Sequence, residues 1–215
     1  GDKTNNHNLG LVKISNVVVK NIGIIETDIS GNTSTLSSMN NVYAGGFAGY
    51  INGAQGSIDV SNIVLEDIVK IASSSFDKDP MYSLEVMAGG FAGYINNATF
   101  SNITLSNIGE VVVDASIKNG NQVGHGTNRI FAGGFVGGIE NSTIDSVVLN
   151  DISKISTNGV NNVWMNVTQH LNDIASGGFA ESINKSNIGN VVLNNIKEVV
   201  STGKKESNAY INAYS

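Results

Sequence analysis

Carboxylate pairs are the side chains of this sequence best suited to chemistry, because two nearby acids can act as general acid and base in polysaccharide cleavage. The candidate pairs are Glu26 with Asp28, Glu66 with Asp67, and Asp77 with Asp79. They fall at different positions of a repeating unit, and neighbours within a strand point to opposite faces. We therefore interpret them as solvated side chains and predict that the chain has no catalytic residues and is not an enzyme.

Metal and cofactor chemistry has little support in the sequence. Asp77 and Asp79 offer alternating oxygens for Ca²⁺, but the other ligands of a calcium loop are missing. The histidines, His7, His125 and His170, have no metal-ligand spacing, and the chain has no cysteine. The glycines around His125 form no phosphate-binding fingerprint. We predict no metal and no cofactor.

Ligand binding is the chemistry that the remaining polar and aromatic side chains favour. Exposed aromatic rings can stack on sugars or anchor a protein partner. Tyr50 and Tyr94 recur at one position of the repeat, where with Tyr43 and Tyr82 they could form an outer aromatic stripe. The candidate ligand-contacting residues are His125 and Arg129 of a glycine-rich loop, the single tryptophan Trp164, Tyr50 and Tyr94. An ordinary variable loop, and buried packing of the tryptophan, are the alternatives.

A 44-residue repeat must position these side chains. The tripeptide Gly-Gly-Phe begins at Gly45, Gly89, Gly133 and Gly177. A second motif, of the type Ser-Asn-Ile-Thr-Leu-Ser-Asn-Ile, begins at Ser15, Ser61, Ser101, Asp145 and Gly189. Its alternation puts Ile103 and Leu105 on one face and polar residues on the other, which is typical of a half-buried strand. Such units bury their apolar faces only by stacking on one another.

The repeat predicts an all-β fold, a parallel β-solenoid (β-helix) of about four and a half units, with right-handed winding favoured. We expect a single domain over 1–215, with units near 1–43 (partial), 44–87, 88–131, 132–175 and 176–215 (partial). Stacking predicts two structural ladders, in which equivalent residues of successive units lie above one another. They are Phe47, Phe91, Phe135 and Phe179, and Ile51, Ile95, Ile139 and Ile183.

Two further positions of the repeat carry information. The residue before the last Ile of the second motif is Asn21, Asp67, Asn107, Asp151 or Asn195. Asn and Asp favour turns there, and direct stacking of alternating neutral and acidic residues would keep carboxylates apart. This favours one coil for each unit, and two coils of about half the length remain the alternative. Glu181 replaces a glycine of the other units, which predicts a solvated face or a bulge.

Composition excludes several function classes. The net charge is -6, and Arg129 is the only arginine, so no basic footprint for nucleic acid exists. No apolar run approaches the length of a membrane helix, and we predict no membrane span. The sequence shows no signal peptide and no evident end caps, so we interpret it as part of a longer protein.

The Gly-Phe-Ala-Gly segments resemble the GLUG repeat, with Phe in place of the usual Leu. They are Gly46-Phe47-Ala48-Gly49, Gly90-Phe91-Ala92-Gly93 and Gly134-Phe135-Val136-Gly137, and the fourth copy, Gly178-Phe179-Ala180-Glu181, lacks the last glycine. The resemblance covers most of the chain as a pattern. It implies a non-catalytic passenger, stalk or adhesive segment of a large bacterial surface or secreted protein.

We expect a structural or adhesive segment that lies outside the cell or on the bacterial surface, contributing to virulence through attachment. Its variable loops would contact a host or matrix protein or a glycan, and the fragment alone would be a monomer. One alternative is a carbohydrate-binding or carbohydrate-cleaving β-helix, which a tight acidic cluster beside an aromatic groove would favour. The other is a phage or toxin fibre segment, which would form trimers.

Overall fold

Parallel β-sheets make up the described part of the protein, in which no helix occurs. The computed structural model describes residues 11–30, 40–53, 58–77, 84–118, 128–162, 171–205 and 210–214. Their strands form three sheets, and in each sheet a strand pairs with its equivalents in the preceding and following units.

Each unit from residue 44 onward contributes one stretch to every sheet, and the partial first unit contributes to sheets 1 and 2. Sheet 1 contains β1 (Val12–Ser30), β4 (Ile58–Asp77), β7 (Ala98–Lys118), β10 (Thr143–Asn162), β13 (Asn187–Ile188), β14 (Val191–Ile196) and β15 (Val199–Lys205). Sheet 2 contains β2 (Asn40–Gly45), β5 (Leu84–Gly89), β8 (Asn128–Gly133), β11 (Leu171–Gly177) and β16 (Tyr210–Tyr214). Sheet 3 contains β3 (Ala48–Asn52), β6 (Ala92–Asn96), β9 (Val136–Glu140) and β12 (Ala180–Asn184).

The strand register shows that each repeat unit forms one layer of the stack, where a layer is the set of strands that one unit contributes to the three sheets. Val42 of β2 pairs with Val86 of β5, 44 residues further on, and Ile95 pairs with Ile139 at the same interval. In sheet 1 the interval ranges from 46 residues, between Val12 and Ile58, to 40. All these intervals are near one full unit, so the described strands place one layer in each unit and exclude two half-length coils.

The long strands of sheet 1 join two motifs that the sequence suggested were separate short strands. β7 runs for 21 residues and bends at Asn102 and Asn107, whose φ angles are 55° and 56°. This left-handed conformation is one that Asn and Asp tolerate better than other non-glycine residues. All five residues that were expected to form turns adopt it, with φ from 56° to 59°.

The core lies between the inward faces of the three sheets. Ile103 and Leu105 are fully buried, as their alternation predicted, and Val86, Ile95 and Ile139 enter from the other two sheets. The phenylalanines of the Gly-Gly-Phe segments stack with ring centroids 4.9, 5.0 and 5.2 Å apart, in the order Phe47, Phe91, Phe135 and Phe179. The two middle rings are completely enclosed, and the two outer rings are partly buried.

Amide and carboxylate side chains form hydrogen-bonded ladders at the bends of sheet 1. Asn107 Nδ2 donates to Asp67 Oδ1 at 2.5 Å, and Asn195 Nδ2 donates to Asp151 Oδ1 at 2.5 Å. The alternation of neutral and acidic residues therefore supplies a donor beside each carboxylate and also separates the charges. At the other bend, Asn102 Nδ2 donates to Asn62 Oδ1 at 2.7 Å.

These features confirm the prediction of an all-β chain with parallel strands, and they are consistent with a β-helix-like fold. The Gly-Gly segments between sheets 2 and 3 allow successive units to stack closely. A Cβ at Gly134 would lie 2.1 Å from the carbonyl oxygen of Gly178 in the next unit, so only glycine fits between the layers.

We predict that Gly134→Ala lowers the free energy of unfolding by about 3 kcal/mol or more, because the added methyl group meets a backbone oxygen that cannot move alone. Gly23→Ala is the matched control, since no atom lies within 4 Å of a Cβ built there. This control is expected to be neutral or stabilising by up to about 1 kcal/mol. Urea titration followed by circular dichroism measures both, and equal effects would contradict the close-approach argument.

A second substitution tests the amide and carboxylate ladder. Asn107→Asp would place three carboxylates on successive layers with Asp67 and Asp151, and we expect a loss of about 1–2 kcal/mol that shrinks in 1 M salt. Asn102→Asp is the control, because it has nearly the same φ but lies between Asn62 and Ser146, which are uncharged. The idea fails if both variants lose the same stability at low salt.

Candidate functional site

Strand alternation places a second set of side chains on the outside of sheets 2 and 3. In β5, Val86 and Ala88 enter the core, and Glu85 and Met87 therefore face outward. The Gly-Gly-Phe turn leads directly into sheet 3, where Tyr94 packs against Met87. We call the space between these two outward faces the outer groove.

Three tyrosines form an aromatic wall at one end of the outer groove. Tyr43 of sheet 2 stacks on Tyr50 and Tyr94 of sheet 3, with ring centroids 5.3 and 6.0 Å away. Tyr50 and Tyr94 stack on each other at 5.8 Å. The rings are not fully covered, and Tyr50 is 47% exposed. An exposed tyrosine face of this kind can accept the apolar face of a ligand.

Carboxylates hold the tyrosine hydroxyls and fix the rings. Tyr43 Oη donates a hydrogen bond of 2.5 Å to Glu85 Oε2, and Arg129 Nη1 donates to the other oxygen of Glu85 at 3.0 Å. Tyr94 Oη donates to Glu140 Oε2 at 2.7 Å. Burial, with these carboxylates as a further cause, raises the pKa of Tyr43 and of Tyr94. Both phenols therefore remain protonated donors across the physiological range.

A cavity of about 240 Å³ continues the groove beyond the tyrosines. It exists because the position held by Tyr50 and Tyr94 is occupied by Gly138 and Ser182 in the next two units. Tyr94 closes one end, since its Cδ2 would lie 2.8 Å from a Cβ at Gly138. Phe131 from sheet 2 also lines the cavity.

Glu181 is the most unusual side chain of this cavity. Its Oε2 is buried and has no hydrogen-bond partner in the protein, although the residue as a whole is only partly buried. Burial, together with the nearby charge of Asp173, raises the pKa of Glu181 to about 7, although Arg129 opposes the shift. Near neutral pH this carboxyl can therefore donate a proton or accept one.

The structure brings together some of the residues that the sequence singled out. Arg129 and Tyr94 line the cavity, and Tyr50 lies in the adjoining aromatic wall. His125, Trp164 and Tyr82 lie outside the described residues. The Phe ladder and most of the Ile ladder belong to the core or pack against it, and Ile183 at the end of the stack is 50% exposed.

The carboxylates of the groove are far apart in sequence, so their proximity could not be predicted from acids that are close along the chain. Glu85, Glu140, Asp173 and Glu181 come from three different units, and strand pairing brings them to one face. Comparing outward positions unit by unit would have found them. Glu66, by contrast, forms an ion pair with Lys20 on sheet 1, away from the groove.

Two other features are absent from the described residues. These residues contain no group of three or more His, Cys, Asp and Glu side chains placed to hold a metal ion. No helix among them is long and apolar enough to cross a membrane.

The described part of the chain is therefore an all-β structure of parallel sheets with one outer groove. The chain matches no protein-family model, and comparisons with curated proteins and with solved structures find no similar protein. The resemblance to the GLUG repeat therefore rests only on the Gly-Phe-Ala-Gly segments of this sequence.

The raised pKa of Glu181 has a consequence for stability. The native state holds a proton that the unfolded chain releases between about pH 4.5 and 7, so stability is expected to fall as pH rises through this window. Glu181→Gln should flatten that dependence and stabilise the protein by about 1–2 kcal/mol at pH 8, allowing for partial exposure. Urea titrations at several pH values measure this difference.

Glu26→Gln serves as the control, because Glu26 is exposed on sheet 1. This variant should keep the loss of stability between pH 4.5 and 7. If Glu181→Gln keeps it as well, Glu181 does not hold the proton.

Proposed function

We propose that this chain is a structural and adhesive segment of a bacterial cell-surface or secreted protein, built as a right-handed parallel β-solenoid. The GLUG-like segments support an extracellular location. Attachment to a host or matrix ligand, without catalysis, is the activity proposed.

The observation that carries this proposal is the nearest-neighbour pairing of the units. Each described strand of sheets 2 and 3 pairs only with its equivalents in adjacent units. The Gly-Gly-Phe segments between these strands add stacked Phe rings and backbone bonds such as Phe91 N to Phe135 O at 2.7 Å. A structure built in this way extends in one dimension with each added unit. Such an extension can hold a binding surface away from the cell.

A carbohydrate-directed function is the second candidate, and one observation favours it. The outer groove combines an aromatic wall with carboxylates from several units, which is the combination expected of a carbohydrate-binding or carbohydrate-cleaving β-helix. Glu181, with its raised pKa, is the group that would act as a general acid if cleavage occurred. Cleavage would require a second carboxyl group acting with Glu181, whereas binding would not. Of the two carbohydrate-directed functions we favour binding.

The test is a glycan array together with immobilised matrix proteins, scored for retention of the purified chain and for release of cleaved product. We expect retention without product release. Gly23→Ala should be retained equally, and Gly134→Ala, whose layers cannot close normally, should lose retention. Product release would overturn the non-catalytic proposal, and no retention on any surface would overturn adhesion by this segment.

A further inference from the structure

The repeat is broken on the outer groove while the core keeps its pattern. Along sheet 3 the inward position is Ile in every unit, but the outward neighbour changes from tyrosine to Gly138 and Ser182. On sheet 2 one outward position changes from Asn41 to Glu85, Arg129 and Asp173. Outward side chains need not repeat for the sheets to close, so the units can differ at these positions and form a site there.

The cavity offers the two kinds of contact that a sugar needs. Phe131 and the edge of Tyr94 supply apolar surface, and Asp173, Ser182 and Asn184 supply polar groups around it. Carboxylate and amide side chains can pair with neighbouring sugar hydroxyls, because each presents two polar atoms in one plane. The volume of about 240 Å³ lies below that of pockets for drug-sized ligands and suits one sugar unit.

The charges of the cavity select against an acidic ligand. Arg129 is the cationic side chain among the lining residues, and its guanidinium is already bound to Glu85 at 3.0 Å. The carboxyl groups of Glu140, Asp173 and Glu181 line the same space. A uronate or sialate would meet these groups at close range, whereas a neutral or amino-bearing sugar would not be repelled.

Glu181 supplies an unused polar atom at this site. Glu140 is already bound through both oxygens, to Tyr94 and to Asn184 Nδ2 at 3.2 Å. The buried Oε2 of Glu181 has no partner in the protein. Because this oxygen is closed to solvent, a ligand hydroxyl or amino group reaches it only if the Glu181 side chain turns toward the cavity that it lines. That contact would remove the cost of the unpaired oxygen.

We propose that this cavity, between Tyr94, Phe131 and Asp173, binds one neutral or amino-bearing sugar unit of a glycan. The proposal rests on the adhesive function proposed above and gives it a ligand class and a place. The exposed ring of Tyr50 lies further along the same groove, where it provides a stacking surface for an adjoining sugar of the chain. Stacking and hydrogen bonding at two neighbouring positions would orient the glycan along the units.

The experiment uses Met87 as a local reporter, because it lines the cavity and is fully buried. The full chain is labelled with ¹³C at its methionine methyl groups, and the Met87 signal is assigned with Met87→Leu. Methyl glucoside, methyl galactoside, methyl mannoside, glucosamine and glucuronate are then titrated separately. We expect at least one neutral or amino sugar to shift this signal with a Kd on the order of 1 mM, and glucuronate to leave it unchanged.

Asp173→Ala and Asn41→Ala form the matched pair of variants. Both residues occupy one outward position of sheet 2, but Asp173 lines the cavity and Asn41 lies three units away, outside it. Asp173→Ala should weaken binding tenfold or more, and Asn41→Ala should change it less than twofold.

The outcomes separate this site from the adhesive function. A Met87 signal unmoved by about 100 mM of every neutral and amino sugar overturns the site, even if the array retains the protein. A shift that Asp173→Ala leaves intact, or a shift caused by glucuronate alone, also overturns it. A shift with the expected pattern supports the site even if no surface retains the protein, in which case adhesion alone fails.

Discussion

In-register parallel stacking is the constraint on which the rest of this structure depends. Each residue of a unit lies about 4.8 Å from its equivalents above and below, so every position must tolerate a copy of itself. Apolar and aromatic residues meet this condition directly, as the stacked rings of Phe91 and Phe135 show. Asparagine meets it by donating from one amide to the next, and aspartate meets it when the neighbouring layer supplies an amide, as Asn107 does for Asp67.

The same constraint explains where the chain changes direction. A bend repeated in every layer must be made by residues that do not clash with the same bend in the layers above and below. Two kinds of residue meet this condition in the sequence. At Gly134 the backbone of the next layer leaves no space for a side chain, so glycine is required. Asn102 and Asn107 instead adopt left-handed backbone conformations on the outside of sheet 1. These few positions set the shape of a layer, and the apolar residues then fill it.

The sequence predicted strand register and burial well at positions where in-register stacking restricts the residue type. The 44-residue interval of Gly-Gly-Phe is also the interval between paired residues such as Val42 and Val86, and the alternation around Ile103 and Leu105 predicted their burial. The long, bent strands of sheet 1 were harder to predict, because a left-handed Asn within a strand resembles a turn in sequence. The cavity and the carboxylates of the outer groove were missed for a related reason. The repeat describes what the units share, and these features are made by residues in which the units differ.

The groove can differ because the stacking constraint is weakest there. Outward side chains are not required to match their neighbours for the sheets to close, so Gly138 can follow Tyr94 and leave a cavity without disturbing Ile139 in the core. Glu181 is the limiting case, a carboxyl placed where three other units have glycine, with one oxygen enclosed and unpaired. Stability does not account for that residue, since burial raises its pKa and penalises its charged form. A side chain that costs stability and lines a cavity of the described groove is consistent with a role in what that cavity binds.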